Sequence, residues 1–227
     1  MHCKLAIDLN FASGYSVRMA EGLRDRKKRE TRRRIADTAV ALFVERGFDR
    51  VTIAEVAAAA DVSVNTVYNY FDAKEDLVLP PHQGDRLAGI VRERERGESA
   101  AEAVLRCLRE EVARRDPSLG LTPGFAGFYA MMRAAPTLIA RLDEIAVRMT
   151  ASLTDLLAAE TGAASGDPLP ALVAGQIGWL HAHVLGEVGR RTDAREDPER
   201  TAAALLHLLD AIEDLLGPRV LDYARRP

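Results

Sequence analysis

In the stretch Ser63–Phe71, SVNTVYNYF, the uncharged polar side chains Ser63, Asn65, Thr66, Asn69 and Tyr70 alternate with Val64, Val67, Tyr68 and Phe71. Steps of three, four and seven put the second set on one face of a helix, turned inward, and leave the first set outward. An outward asparagine can bond adenine bidentately. Serine and threonine hydroxyls can bond a base edge or a phosphate, and tyrosine can bond a phosphate. No carboxylate stands among them to repel a phosphate backbone. The chemistry on offer is recognition of a nucleic-acid surface; the bland alternative is a solvated face of a small helical domain.

The elements that would position this face lie just before it. Ile53, Val56, Ala57 and Ala60 repeat at helical spacing. Thr52 and Glu55 have the spacing of a capping box, Asp61 tolerates the left-handed turn a tight joint demands, and Ser63 can cap the next helix. Two short helices on so short a turn predict a helix-turn-helix, whose second helix enters the major groove. Upstream, a helix from about Asp25 or Glu30 to Arg46 buries Ile35, Ala39, Leu42 and Phe43; Gly47 ends it and Phe48 folds back. Downstream, Asp72 is expected to cap a fourth helix starting near Ala73 or Lys74, where the Lys74 ammonium and nearby amides could hold a phosphate.

Phe43, Gly47, Phe48, Thr52, Ile53, the Ile-Ala-x-x-Ala run of the second helix, Val62-Ser63, Thr66-Val67-Tyr68, Tyr70-Phe71 and Lys74-x-x-Leu77 together resemble the N-terminal domain of the tetracycline-repressor (TetR) family. The resemblance covers roughly residues 30 to 79, with Asp61 where the family commonly has glycine. It implies an all-α homodimer that binds double-stranded operator DNA and is released by a small molecule. No motif beyond residue 80 extends it. The candidate DNA contacts are Arg32, Arg33, Arg34, Thr52, Ser63, Asn65, Thr66, Tyr68, Asn69, Tyr70 and Lys74.

A net charge of −3 taken alone argues against a nucleic-acid binder, but the distribution of charge argues for one. Residues 24–34, RDRKKRETRRR, hold eight basic and two acidic residues; from Ile35 to Leu79 only Arg46, Arg50 and Lys74 are basic, against eight acids. The electrostatic footprint is local to the start of the first helix. Two cysteines, Cys3 and Cys107, are too few for a disulfide framework, and no apolar run is long enough to span a bilayer, so a cytoplasmic, reduced, cofactor-free protein is expected. Residues 1–18 lack the features of a signal peptide; Met19 is the expected start, with the preceding residues from an upstream codon or a loose tail.

The expected organisation is a flexible extension over 1–23, the helix-turn-helix domain over 24–79, a helical ligand-binding and dimerisation domain over 80–216 and a tail over 217–227, with the boundary at Pro80-Pro81. In the second domain Ala171, Gly175, Gly178, Ala182, Gly186 and Gly189 form a small-residue stripe on one helix. Each interior glycine costs that helix roughly 1 kcal/mol against alanine, so close packing of another helix, partly from a second subunit, is expected in return. With the leucine-rich last helix it would form a four-helix bundle between subunits.

Aromatic and methionine side chains with a few polar groups suit an apolar or amphipathic ligand, which makes Phe125, Phe128, Tyr129, Met132, Gln176, Trp179 and His183 the candidate pocket; plain core packing is the alternative for each. Enzyme chemistry is not indicated. His181 and His183 point apart on a helix, His183 and Glu187 lack a third ligand for a metal, and no phosphate loop or nucleophile elbow is present. The leading function is therefore a ligand-responsive repressor. An architectural DNA binder that needs no ligand, or a helical enzyme or carrier with an appended DNA-like domain, stand behind it.

Overall fold

The computed structural model describes residues 23–122 and 124–227. The expectations about the extension and Met19 concern residues outside them. Every regular element among the described residues is helical, and no helix there is long and apolar enough to cross a membrane. The chain divides into two compact units: one runs to Pro80 and takes in Pro123–Arg141, the other comprises Pro81–Thr122 and Leu142–Pro227.

The first unit is built on α1 (Leu23–Arg46), α2 (Ile53–Ala59) and α3 (Val64–Tyr68). Ile35, Ala39 and Phe43 of α1 are buried, as are Phe48, Val56, Ala57, Val67 and Phe71. Each large side chain among them stabilises the unit by about 1.5–3 kcal/mol. Gly47 takes φ +90, ends α1 and turns the chain so that Phe48 meets Phe43 edge-on at 4.9 Å. Thr52 and Glu55 form the capping box of α2, Asp61 turns at φ 53, and Ser63 caps α3 by accepting from the Thr66 N–H.

Between α3 and the next α-helix of this unit the chain passes through the second unit. α4 (Arg86–Arg92) and α5 (Ala100–Arg114) belong to the second unit, and the chain then returns to the first as α6 (Phe125–Ala134). α6 packs on α1, and a Cβ at Gly127 would lie 3.3 Å from Val44 Cγ1, so that glycine permits the close approach. A domain boundary at Pro80-Pro81 puts α6 with the second domain; in the structure it clusters with the first.

Three local expectations change. The segment after α3 is not a fourth α-helix but a 3-10 turn over Lys74–Leu77, and Asp76 rather than Asp72 caps it, accepting from the Ala73 N–H at 3.1 Å. Pro80 and Pro81 cannot supply the amide hydrogens that would extend that turn. Val64 and Tyr68, expected on the inward face, are 38% and 56% exposed. Leu42 is only half-buried, while its neighbour Val40 is buried.

The second unit packs α4 and α5 with the part of α7 (Pro136–Thr161) after Arg141, α8 (Leu169–Asp193), α9 (Pro198–Leu215) and the short α10 (Pro218–Leu221). α5 is capped by Ser99 and Glu102 and lies against α4, α9 and α10. Val173, Ile177, Leu180, Val184 and Val188 bury one side of α8 against neighbours that include α9. Within this core Arg86 grips both oxygens of Glu111 at 2.6 Å, beside the Cys107 thiol and the imidazole of His181. Burial and the Glu111 carboxylate push the Cys107 thiol up to about 11. The chain end is held rather than loose: Arg226 N–H donates to the Glu98 carbonyl, Gly97 N–H to that of Arg226, and Arg225 grips Glu102 with two 2.8 Å bonds.

The small-residue stripe of α8 splits. Gly189 is buried, and a Cβ at Gly178 would sit 2.8 Å from Thr150 Oγ1 of the same chain, whereas Gly175 and Gly186 would meet nothing within 4 Å. Only part of the stripe is open to another molecule.

Candidate nucleic-acid interface

Caps and anchors decide which side chains of the reading segment reach outward. Val67 and Phe71 are the buried anchors of α3. The pair Val64 and Tyr68 has the same spacing of four but lies about 60° further round the wheel. Spacing cannot say which pair turns in; packing against α2 does. The outer face of α3 therefore consists of Val64, Asn65, Tyr68 and Asn69, with Ser63 exposed just before it. Thr66 and Tyr70 are half-buried.

Several predicted contacts are also engaged within the unit. Thr52 accepts from the Glu55 N–H at 3.2 Å and donates to Glu55 Oε2 at 2.8 Å. Ser63 Oγ and Thr66 Oγ1 share a hydrogen bond of 2.8 Å. The Lys74 ammonium donates to the Phe48 carbonyl and lies 4.3 Å from the Phe48 ring centroid and 5.3 Å from that of Phe43. Burial pulls its pKa down, and it works as a clasp inside the unit rather than as a projecting cation. Glu55 is held down to about 2 by the Thr52 amide first and then by Arg46, which donates to it at 2.5 Å.

The basic run is helical. Arg24 to Arg29 and Arg33 and Arg34 are exposed along α1; Arg32 lies over the Phe71 ring at 4.8 Å, and Arg33 pairs with Asp37 at 3.5 Å. A capped helix-turn-helix with an uncharged polar outer face, next to a cationic helix end, is equipped to position on phosphates and to read base edges.

Residues 35–79 match the sequence profile of the family described as bacterial regulatory proteins, tetR family. The reading head of the chain matches the TetR family. It is 31% identical over 147 residues to the HTH-type transcriptional regulator TcmR of Streptomyces glaucescens, a match covering 62% of this chain and 65% of TcmR. It is 40% identical over 52 residues to the HTH-type transcriptional repressor KstR of Mycolicibacterium smegmatis, covering 23% of this chain and 26% of KstR. The matches thus span less than two thirds of either relative's length. The fold is that of a TetR-family transcriptional regulator from Rhodococcus sp., with a TM-score of 0.51 at 23% identity over 81% of this chain and 98% of that one.

The seven candidate pocket residues fall in both units. In the first, Phe128 and Met132 are buried in α6, Phe125 and Tyr129 are half-buried, and the rings of Phe125 and Tyr129 stack at 6.0 Å. In the second, Gln176, Trp179 and His183 stand exposed on α8, with the Trp179 and His183 rings stacked at 5.2 Å. These three share one face with Leu172 and the open Gly175 and Gly186. The Glu187 carboxylate, four residues from His183, accepts from Arg190 and Arg191. Sequence reasoning missed Val64 as an outward residue and Asp76 as the cap, and the only signal for the latter was its spacing of three from Ala73.

Proposed function

We propose that this chain is a sequence-specific DNA-binding transcriptional regulator, a repressor that binds its operator as a homodimer and leaves it when a small effector binds. The observation that carries the reading is the outer face of α3, where Asn65 and Asn69 project beside Val64 and Tyr68 from a helix capped at Ser63. The cationic half of α1 supplies the sequence-independent attraction. The exposed face of α8, with Leu172, Trp179 and the open Gly175 and Gly186, together with Leu206 and Leu215 of α9, is the surface offered to a second copy. Exposed apolar groups of this number on two neighbouring helices favour a subunit contact over solvent. This assigns Trp179 and His183 to the contact rather than to a pocket wall. An apolar or amphipathic effector is assigned to α6, where Phe125, Phe128, Tyr129 and Met132 remain its candidate contacts.

The test is to incubate the full chain with fragmented DNA of its own genome, sequence what it retains, and repeat at rising salt. A few sites with two-fold symmetric half-sites, one helical turn or a multiple apart, are expected. Retention without any sequence preference would favour an architectural role and overturn this reading.

A further inference from the structure

We infer that the reading face selects half-sites whose central major-groove pairs are A·T, with Asn65 and Asn69 bonding adenine and Val64 covering the thymine methyl. This rests on the DNA-binding reading above and goes beyond it by naming the base chemistry. Val64 and Tyr68 lie about 40° apart on the wheel and form one edge of the outer face; Asn65 and Asn69, equally spaced, form the other. The face is thus an apolar rail beside an amide rail. An A·T pair presents the same juxtaposition in the major groove: adenine N6 and N7 are a donor and an acceptor matched by an asparagine amide, and the thymine C5 methyl is the one apolar group on any base edge there.

Guanine requires a different face. Its O6 and N7 are both acceptors and are bonded by arginine or lysine. α3 carries neither. Of the three cations between Ile35 and Leu79, Arg46 is paired with Glu55 at 2.5 Å, Lys74 donates to the Phe48 carbonyl, and Arg50 folds back over Gly47, where a Cβ would lie 3.3 Å from its Nε. The hydroxyls of Ser63 and Thr66 are bonded to each other. What projects from α3 is two amides, one β-branched aliphatic group and a tyrosine. A valine 38% exposed on the outer face presents apolar surface to water, and a methyl group is a partner that covers it.

The experiment selects duplexes from a random library with the full chain, then alters the DNA alone. Half-sites with A·T at two or more central positions are expected. Replacing each central thymine by uracil, which removes only the C5 methyl, should weaken binding on the order of fourfold for a contacted methyl, from the free energy of one buried carbon. Replacing guanines by 7-deazaguanine in the same half-sites should change nothing. Val64→Ala should bind the thymine and uracil duplexes equally. Half-sites centred on G·C with sensitivity to 7-deazaguanine, or a parent protein indifferent to uracil at every central position, overturn the inference while leaving sequence-specific binding intact. Selection that enriches no duplex overturns the DNA-binding reading and this inference with it.

Discussion

Arg141, near the start of α7, donates to Asp76 Oδ1 across 2.6 Å, and Asp76 is 3% exposed. Oδ2 of the same carboxylate accepts the Ala73 N–H, so one side chain closes the turn after the reading helix and ties it to α7 within the first unit. Asp76→Ala should cost about 2–4 kcal/mol, because it removes one partner of a part-buried guanidinium as well as a cap. Asp76→Asn, which keeps an acceptor for the Ala73 amide, should cost less. Urea midpoints of the two variants give the comparison; equal midpoints for Asp76→Ala and the parent would mean that the pair contributes nothing to folding.

Glu55 makes the cap of α2 sensitive to acid. Its carboxyl is depressed from 4.5 to about 2 by the Thr52 amide, Arg46 and the Thr52 hydroxyl. A depressed carboxyl contributes stability that is fully present above its unfolded pKa and is lost as pH falls through the folded one. The loss should therefore run from about pH 4.5 down to about pH 2. Glu55→Gln should flatten that part of the stability curve; Arg46→Gln should flatten it partly, since the backbone bond remains. Thermal midpoints across this pH range decide between them.

His181 acts at milder pH and in the other unit. Burial, and secondly the Arg86 guanidinium, lower its pKa from 6.5 to about 4. The unfolded imidazole therefore takes up a proton that the folded one refuses, so stability is complete above about 6.5 and declines as pH falls toward 4. The decline is on the order of 3 kcal/mol, at about 1.4 kcal/mol per pKa unit. His181→Leu should remove most of this dependence, measured as urea midpoints at pH 7.5 and 4.5. A parent protein equally stable at both would contradict the burial argument.

The cationic half of α1 should supply affinity without sequence preference. Arg33→Gln with Arg34→Gln should weaken binding to all duplexes alike and make the salt dependence shallower by about one unit of slope per lost phosphate contact. Arg32→Gln should behave differently: it lies over Phe71, so it should also lower the stability of the first unit, by about 0.5–1 kcal/mol. An unchanged salt slope in the double variant would make the run a solvated surface only.

The open face of α8 and α9 can be tested apart from the core. Trp179→Glu and Leu206→Glu change exposed side chains and should yield folded monomers in sedimentation, with loss of two-fold symmetric operator binding. Gly178→Leu and Leu209→Glu are the wrong probes, because Gly178 faces Thr150 of its own chain and Leu209 is fully buried there; both should unfold the unit rather than only separate subunits. Dimers that persist in Trp179→Glu with Leu206→Glu would place the contact on another surface.

The local signals of the reading head are legible in the residues alone. The Thr52–Glu55 box, the turn at Asp61, the Ser63 cap and the stop at Gly47 each depend on a few neighbours whose backbone chemistry acts over one turn, and each stands in the structure where the spacing puts it. Most of the α1 core follows from period, because a helix of 24 residues repeats its pattern often enough to fix a face. Packing settles what depends on the element opposite. In α3 and the residues just after it two pairs share a spacing of four, and packing of α3 against α2, with Arg32 of α1 over Phe71, goes with Val67 and Phe71 buried and Val64 and Tyr68 in solvent. The same holds for Lys74, drawn onto two phenyl rings, for Gly178, closed by Thr150, and for α6, which lies against α1 although α4 and α5 intervene in the chain. Such contacts join residues far apart in sequence, where neither period nor capping chemistry carries information.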